Sequence, residues 1–482
     1  MSAPTRGPGG VAGKFEDSDS SLYAARRKLY PRELPGRFQD LRQLAMLVLL
    51  GLFYGVAWLR WDDRQAVLFD LPARKFHVFG LTFWPQDFFF LALLLIIAAL
   101  SLFFVTAVAG RLWCGYACPQ TVWTELFLRI ERWVEGDRAA RMKLDRGPWD
   151  RRRVLRKLTK QTLWISLAAW TGFTFVGYFT PIHTLGAEVL AFATGPWETF
   201  WILFYGLATY GNAGYLREQV CIYMCPYARF QSAMFDKDTM IIAYDEARGE
   251  ARGARKRGDD HKAKGLGDCI DCTLCVQACP TGIDIRDGLQ YECIACAACV
   301  DACDSVMDKV GYPRGLVRYT TAHALAGAPT RVLRPRTMVY AGLLGTIAVA
   351  FVVGVLLRQA VALDVLRDRN ALYRIDDDSV ENVYLLKIMN RDSRAHRYEV
   401  SVSGLAALEV EVDGHDDAAE GEDRRAARTA EVAAGSVGNV PVRVSAPLGA
   451  VRGAAAIELS ITAVDDPSQV AREASRFFAP VQ

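Results

Sequence analysis

Residues 269–280 read CIDCTLCVQACP and residues 293–304 read CIACAACVDACD. Both follow Cys-x2-Cys-x2-Cys-x3-Cys. The first run is Cys269, Cys272, Cys275 and Cys279, closed by Pro280; the second is Cys293, Cys296, Cys299 and Cys303, followed by Asp304. Bacterial two-cluster ferredoxins hold 4Fe–4S cubanes with this spacing, and the last Cys of each run serves the other run's cluster. Every iron of a cubane needs a thiolate, and one tight loop cannot reach them all. A duplicated loop supplies the missing ligand by exchange. The spacing therefore predicts two 4Fe–4S clusters, one on Cys269, Cys272, Cys275 and Cys303, the other on Cys293, Cys296, Cys299 and Cys279. Cys-x2-Cys also suits tetrahedral zinc, but two full runs favour iron–sulfur.

A ferredoxin alone needs far fewer than the 482 residues present. Hydrophobic residues make up 51% of the chain beside 23% charged ones, so the apolar residues must be concentrated in segments. They are, at 43–59, 88–109, 161–179, 197–214 and 338–357. Each has about the ~20-residue length that crosses a bilayer as a helix. The first is short and the fourth carries Glu198, Thr209 and Asn212, so a buried soluble helix is the competing reading for those two. The polar residues 1–42 lack the features of a cleaved signal peptide and read as a cytoplasmic tail.

Lys and Arg set the expected orientation. The tail carries Arg26, Arg27, Lys28, Arg32, Arg37 and Arg42, and 111–160 is strongly basic, whereas 180–196 has neither Lys nor Arg. This predicts five spans with the N-terminus and cluster domain inside and the C-terminal domain outside. Between two spans, the basic loop suits anionic membrane lipid rather than nucleic acid. Residues 237–267 read as a charged linker, 268–310 as the cluster domain and 311–337 as a connector to the last span. From 370 to 482, short alternating runs at 383–388, 398–402, 408–412, 440–444 and 456–462 predict an all-β sandwich of immunoglobulin type. Residues 413–428 read as an exposed loop, and His396 and His415 as surface residues. The fold class expected is a membrane α-helical bundle with an inserted two-cluster ferredoxin-like α+β domain and a C-terminal immunoglobulin-like sandwich.

Four cysteines remain. Cys114 and Cys118 precede Pro119, and Cys221 and Cys225 precede Pro226, so Cys-x3-Cys-Pro occurs twice, each time after an expected span running inward. On a helix, residues four apart share a face, so two such helices would gather four thiols, with the prolines bending the helix. Soft thiolates select Cu(I) or zinc; small apolar core residues are the plainer alternative, and thiol redox a third. Met224 between Cys221 and Cys225 points away from the pair on a regular helix. His77 and His183 fall near the outer face, where either could meet incoming Cu(II), though a lone His is commonly structural.

The stretches KLYPRE at 28–33, RLWCGYACPQ at 111–120, CIYMCPYARFQ at 221–231 and DACD at 301–304 carry a resemblance over nearly the whole chain. The sequence resembles the cytochrome c oxidase accessory proteins of the CcoG/FixG type. The resemblance implies an inner-membrane cupric reductase making Cu(I) for the copper centre of cbb3-type oxidases. Cys114, Cys118, Cys221 and Cys225 would be its copper-reactive thiols. Implied partners are an unidentified cytoplasmic electron donor and a copper chaperone or oxidase assembly factor; a homodimer is compatible with it. The alternative is a quinol dehydrogenase of the NapH/NosR kind passing electrons to a periplasmic acceptor. The NosR flavin motif is not found here, and the NapH type lacks the fifth span with its β-domain.

Overall fold

The computed structural model describes residues 28–255, 262–368, 371–376, 378–392, 394–405, 408–412 and 428–481. Most of the N-terminal tail, His415 and the expected loop at 413–427 lie outside them. The chain divides into two compact units. One comprises 1–47, 108–166 and 210–330, the other 48–107, 167–209 and 331–482.

In the first unit, the strands Ile241–Tyr244 and Val317–Thr320 pair antiparallel, with Ile241 opposite Thr320. They bracket both cysteine runs. Ile242, Tyr244, Ile285, Val300, Met307, Leu316 and Val317 form the core beneath the runs. The helix Ala298–Val310, which carries Cys299 and Cys303 at the end of the second run, offers Asp301 to the start of the helix Arg37–Val56. Gln39 N–H donates to Asp301 Oδ2 at 2.7 Å and Phe38 N–H to Oδ1 at 3.2 Å. A carboxylate there satisfies backbone donors that have no partner within the helix. Gly36 makes the approach, since a Cβ would run into the Asp301 side chain.

The basic stretch 111–160 folds into the helices Leu112–Tyr116, Pro119–Glu135 and Arg138–Arg146 and the start of Arg151–Val176. Part of its charge turns inward. Glu131 and Glu135 are fully buried. Glu131 meets Arg217 at 2.7 Å and Arg141 at 3.8 Å, and Glu135 meets Lys160 at 2.8 Å and Lys157 at 2.9 Å. Burial pushes the Glu131 carboxyl up, but Arg217, Lys160 and Lys28 outweigh it and hold the group below its usual range. Arg141, Lys157 and Lys160 are therefore structural counter-ions, which the loop's net charge concealed. Lys143, Arg146, Arg151 and Arg152 stay exposed.

Among the described residues, two helices are long and apolar enough to cross a membrane, Pro85–Ala109 and Pro335–Leu356. The other three expected spans fall short of that description for local reasons. Arg37–Val56 opens on polar turns, Arg151–Val176 begins RRRVLRK, and Pro196–Thr209 runs for 14 residues before the chain widens into the π-helical turn Tyr210–Leu216. Within the second unit, Gly172 packs against Ile202 and Gly206 against Ala168, so small residues bring two helix backbones together. Asp87, at the entry to Phe88–Ala109, is buried and pairs with Arg358 at 2.5 Å and Arg391 at 3.5 Å.

The C-terminal sandwich has two sheets. The strands Glu409–Val412, Val437–Pro447, Ser379–Asn390 and Val361–Arg367 form one in that order, with Arg374–Asp376 also paired to Ser379–Asn390. Thr429–Val432, His396–Ser403, Ala454–Ala463 and Val470–Phe478 form the other. Alternate side chains along these strands enter a core of Tyr384, Leu386, Ile388, Val442, Val444, Leu459, Ile461 and Phe477. The first strand starts at 361 rather than 370, because VALDVLR follows the last long helix almost directly. His396 is a correction to the surface reading. It is buried, with Nδ1 2.7 Å from Asp465 and Nε2 2.8 Å from Asp392.

Candidate functional site

The two cysteine runs adopt one repeated backbone shape. The second and fourth residues after the first Cys of each run have positive φ: Asp271 (54°) and Thr273 (56°), then Ala295 (53°) and Ala297 (57°). None is a glycine, and each such residue costs of order 1–3 kcal/mol, which persists where the surroundings over-determine it. The left-handed residues curl each loop around a central space. None of the eight cysteines is paired in a disulfide.

The thiols fall into two groups. Burial pushes Cys303 up to about 12, with Cys275 and then Cys269 adding to the shift; burial likewise raises Cys275 to about 11, with Cys272 contributing. Burial raises Cys293 to about 12, with Cys296 and Cys279 adding, and raises Cys299 well above its usual value, with Cys296, Cys293, Cys279 and, last, Cys275 as neighbours. So Cys279 stands with the second run's thiols and Cys303 with the first's. A small pocket is lined by Cys275, Cys279, Cys293, Cys296 and Cys299. Cysteines grouped on two curled loops, all but Cys272 at least partly buried, fit iron–sulfur clusters.

The two Cys-x3-Cys-Pro segments also share a shape, and it is not the single helix expected. Cys114 lies in the short helix Leu112–Tyr116, but Cys118 is extended (φ −62°, ψ 129°) and Pro119 opens the next helix. Cys221 lies in the π-helical turn Val220–Met224, Cys225 is extended (φ −80°, ψ 110°), and Pro226 opens the helix Pro226–Met234. A residue before proline is pushed out of the helical region, and proline is preorganised for a first helical position. The motif therefore marks a break between two helices rather than one face of a bent helix. The four thiols are half-buried neighbours. Burial raises Cys221 to about 12, with Cys118, Cys114 and Cys225 adding to it, and raises Cys114 to about 11, with Cys118 contributing. Cys114 Sγ is 3.6 Å from the amide of the fully buried Gln231. Met224 is exposed.

The first of these segments touches the second cysteine run. A Cβ on Gly115 would stand 2.8 Å from Ile294 O, 2.9 Å from Ala295 O and 2.9 Å from Cys296 Cα. Tyr319 OH donates to Ala295 O at 2.6 Å and lies 3.3 Å from Tyr116 OH. A cavity is lined by both Cys221 and Cys296, with Arg42, Gln120, Glu125 and Arg217 among its walls. Gly115, Gln231 and the left-handed positions escaped the sequence reading, because nothing in a neighbouring-residue pattern marks a contact 180 residues away.

Among the described residues no three His, Cys, Asp or Glu side chains converge closely enough to hold one metal ion. His77 bonds Thr82 at 3.0 Å and His183 sits edge-on to Trp58, so neither gathers a ligand set.

Family comparisons accord with this geometry. Residues 216–322 match the 4Fe–4S dicluster domain, 91–136 a 4Fe–4S binding domain, and 351–480 the IG-like fold at the C-terminus of FixG. The nitrogen fixation protein FixG of Rhizobium meliloti is 40% identical over 490 residues, covering 94% of this chain and 92% of that protein. The chain belongs to the FixG family. Protein RdxB of Cereibacter sphaeroides is 44% identical over 411 residues, covering 82% of this chain and 86% of RdxB. A crystal structure of a FixG-related protein from Vibrio parahaemolyticus is 24% identical with a TM-score of 0.21, covering 25% of this chain and 97% of that one. As a FixG-family member with 4Fe–4S domains, the protein is an iron–sulfur electron-transfer protein.

Proposed function

We propose that this FixG-family protein reduces Cu(II) to Cu(I) at Cys114, Cys118, Cys221 and Cys225, for the copper centre of a cbb3-type oxidase. The proposed cluster ligands are Cys269, Cys272, Cys275 and Cys303 for one 4Fe–4S cluster, and Cys293, Cys296, Cys299 and Cys279 for the other. Such clusters supply one-electron storage. The observation that carries the reading is the contact of Gly115 with Ile294–Cys296, which puts a thiol segment against a cluster loop. Each Cu(II) takes one electron, and thiolate donors favour the Cu(I) product. Because the four sulfurs are not drawn onto one ion, copper would be held by movement of the two Cys-Pro breaks or reduced in passing. The electron donor is cytoplasmic, and Cu(I) passes to a chaperone or to the assembling oxidase.

The setting proposed is a bacterial inner membrane crossed five times, with the N-terminus and clusters inside and the sandwich outside. The chain passes between its two compact units after residues 47, 107, 166, 209 and 330, and the first four points fall inside apolar segments. That alternation, with the lysine and arginine distribution, supports this topology.

The test is anaerobic Cu(II) reduction by the purified full chain, comparing wild type with Cys114→Ser, Cys118→Ser, Cys221→Ser and Cys225→Ser while the clusters are followed by EPR. Lost Cu(I) production with intact cluster signals is the expected result. Unchanged turnover in all four variants would remove copper from these thiols. The match of 91–136 to a 4Fe–4S binding domain favours a second reading, since that span holds only Cys114 and Cys118 and would need Cys221 and Cys225 to complete a ligand set. Iron in excess of two cubanes, lost in the same four variants, would replace copper by a third cluster.

A further inference from the structure

Three segments meet at one side chain. Arg111 lies three residues before Cys114 and is 5% exposed. Its Nη1 donates to Tyr291 O and, at 3.2 Å, to Cys293 O; its Nη2 donates to Ala228 O at 2.7 Å. Tyr291 and Cys293 belong to the loop that opens the second cysteine run. Ala228 is three residues past Cys225, on the helix Pro226–Met234. That helix also carries Gln231, the partner of the Cys114 thiol. A planar guanidinium fork can hold several carbonyls in fixed relative positions; an ammonium on a flexible stem is a point charge and cannot.

The charge has its own consequence. A reduced cluster carries one more negative charge than an oxidised one, and a buried cation nearby stabilises the reduced form. Arg42, which donates to Cys296 O, adds a second guanidinium on the same loop. Around the first run, Arg255 bonds Cys269 O at 2.6 Å and Arg286 stands near Cys275, but Arg286 is itself paired with Asp284 at 2.6 Å and Asp271 at 2.5 Å, and Cys272 is exposed. One electron moving from the first cluster to the second therefore moves from a more solvated loop, where Arg286 is offset by two carboxylates, to a more buried one flanked by Arg111 and Arg42, and onward toward Gly115.

We propose that Arg111 is the positioning residue of the electron exit: it ties the loop of Cys293 to both Cys-x3-Cys-Pro segments and makes the cluster of that loop the more readily reduced of the two. This rests on the ligand sets proposed above but not on copper as the acceptor.

The experiment is an EPR-monitored redox titration of the full-length holoprotein in detergent, for wild type, Arg111→Gln, Arg111→Lys and Cys293→Ser. Cys293→Ser identifies the signal of the second loop; if neither signal changes in it, the ligand sets fail, and the proposal with them. Arg111→Gln is expected to raise the oxidised-to-reduced ratio of that signal at least tenfold at fixed potential, ~59 mV for a one-electron couple, leaving the other signal in place. An unmoved signal, or a shift of the other one, overturns the charge role. Arg111→Lys keeps the charge and is expected to keep the potential. It loses the fork, so Cys114 should react with N-ethylmaleimide at least tenfold faster as Gln231 is released. Alkylation at the wild-type rate overturns the positioning role. Should Arg111→Gln fail to load clusters, Arg111→Lys still tests both roles: a shifted potential in it overturns the charge role, and alkylation at the wild-type rate overturns the positioning role.

Discussion

Gly115 and Ile294 are in backbone contact, with no room for even a methyl group between them. The segment of Cys114 and Cys118 therefore lies directly on the loop that carries Cys293 and Cys296. Gly115→Ala would force the loop aside, because the obstacles are carbonyl oxygens and a Cα rather than a flexible side-chain end. Overpacking of this kind costs about 1–3 kcal/mol. A lower midpoint in denaturant, followed by cluster absorbance of the full-length holoprotein, is the expected outcome. A midpoint equal to wild type would mean the two backbones are not held together.

The buried charge network predicts a pH dependence with a definite sign. Glu131 is held below the ordinary value of ~4.3 by Arg217, Lys160 and Lys28 acting against burial. Its contribution is fully present above that ordinary value and is lost as pH falls through the lower folded-state value. Glu131→Gln removes the charge while leaving Arg217, Arg141 and Lys160 buried, a loss of about 3–5 kcal/mol when one partner of a buried pair is deleted. Thermal unfolding at neutral pH should show it. The variant should also have a flatter stability curve in acid than wild type, and parallel curves would count against the network.

What the sequence made legible follows from how far each signal reaches. The alternation in His396–Ser403 is a neighbour-to-neighbour pattern, and it appears in the structure as alternating buried and exposed residues. Cysteine spacing is equally local. The pairing of Glu131 with Arg217 spans 86 positions and looks in sequence like two ordinary charges. The helix break at Cys118 was in principle readable, because Pro119 excludes helical geometry at the preceding residue. A period-four reading of Cys114 and Cys118 gave way there to the stronger steric rule. Asp271, Thr273, Ala295 and Ala297 carry no glycine to announce their left-handed backbone.

His396 predicts the opposite sign to Glu131. Burial alone would pull its pKa down, but Asp392 and Asp465 outweigh burial and raise it above the usual ~6.5. The stability it contributes is complete below that usual value and is lost as pH rises through the raised one. Protection factors in the strand His396–Ser403 of the full chain, with the intrinsic rise of exchange rate with pH divided out, should fall between mildly acidic and alkaline pH. His396→Gln should abolish that change; exchange with the same pH profile in the variant would assign it elsewhere.

The exchange of one cysteine between runs gives the sharpest check on the clusters. Cys279 belongs to the first run by sequence but acts on Cys293 and Cys299 across space, while Cys303 acts on Cys275 and Cys269. Sequence proximity and spatial proximity therefore predict different phenotypes. Cys272→Ser and Cys296→Ser serve as markers, since each lies in the middle of its own run and perturbs only its own cluster. If the spatial grouping holds, Cys279→Ser gives the EPR spectrum of Cys296→Ser, and Cys303→Ser that of Cys272→Ser. Each pair should also lose the same share of iron. Were Cys279→Ser to match Cys272→Ser instead, each run would close its own cluster, and the second loop would have no thiol from the first to tie the two together.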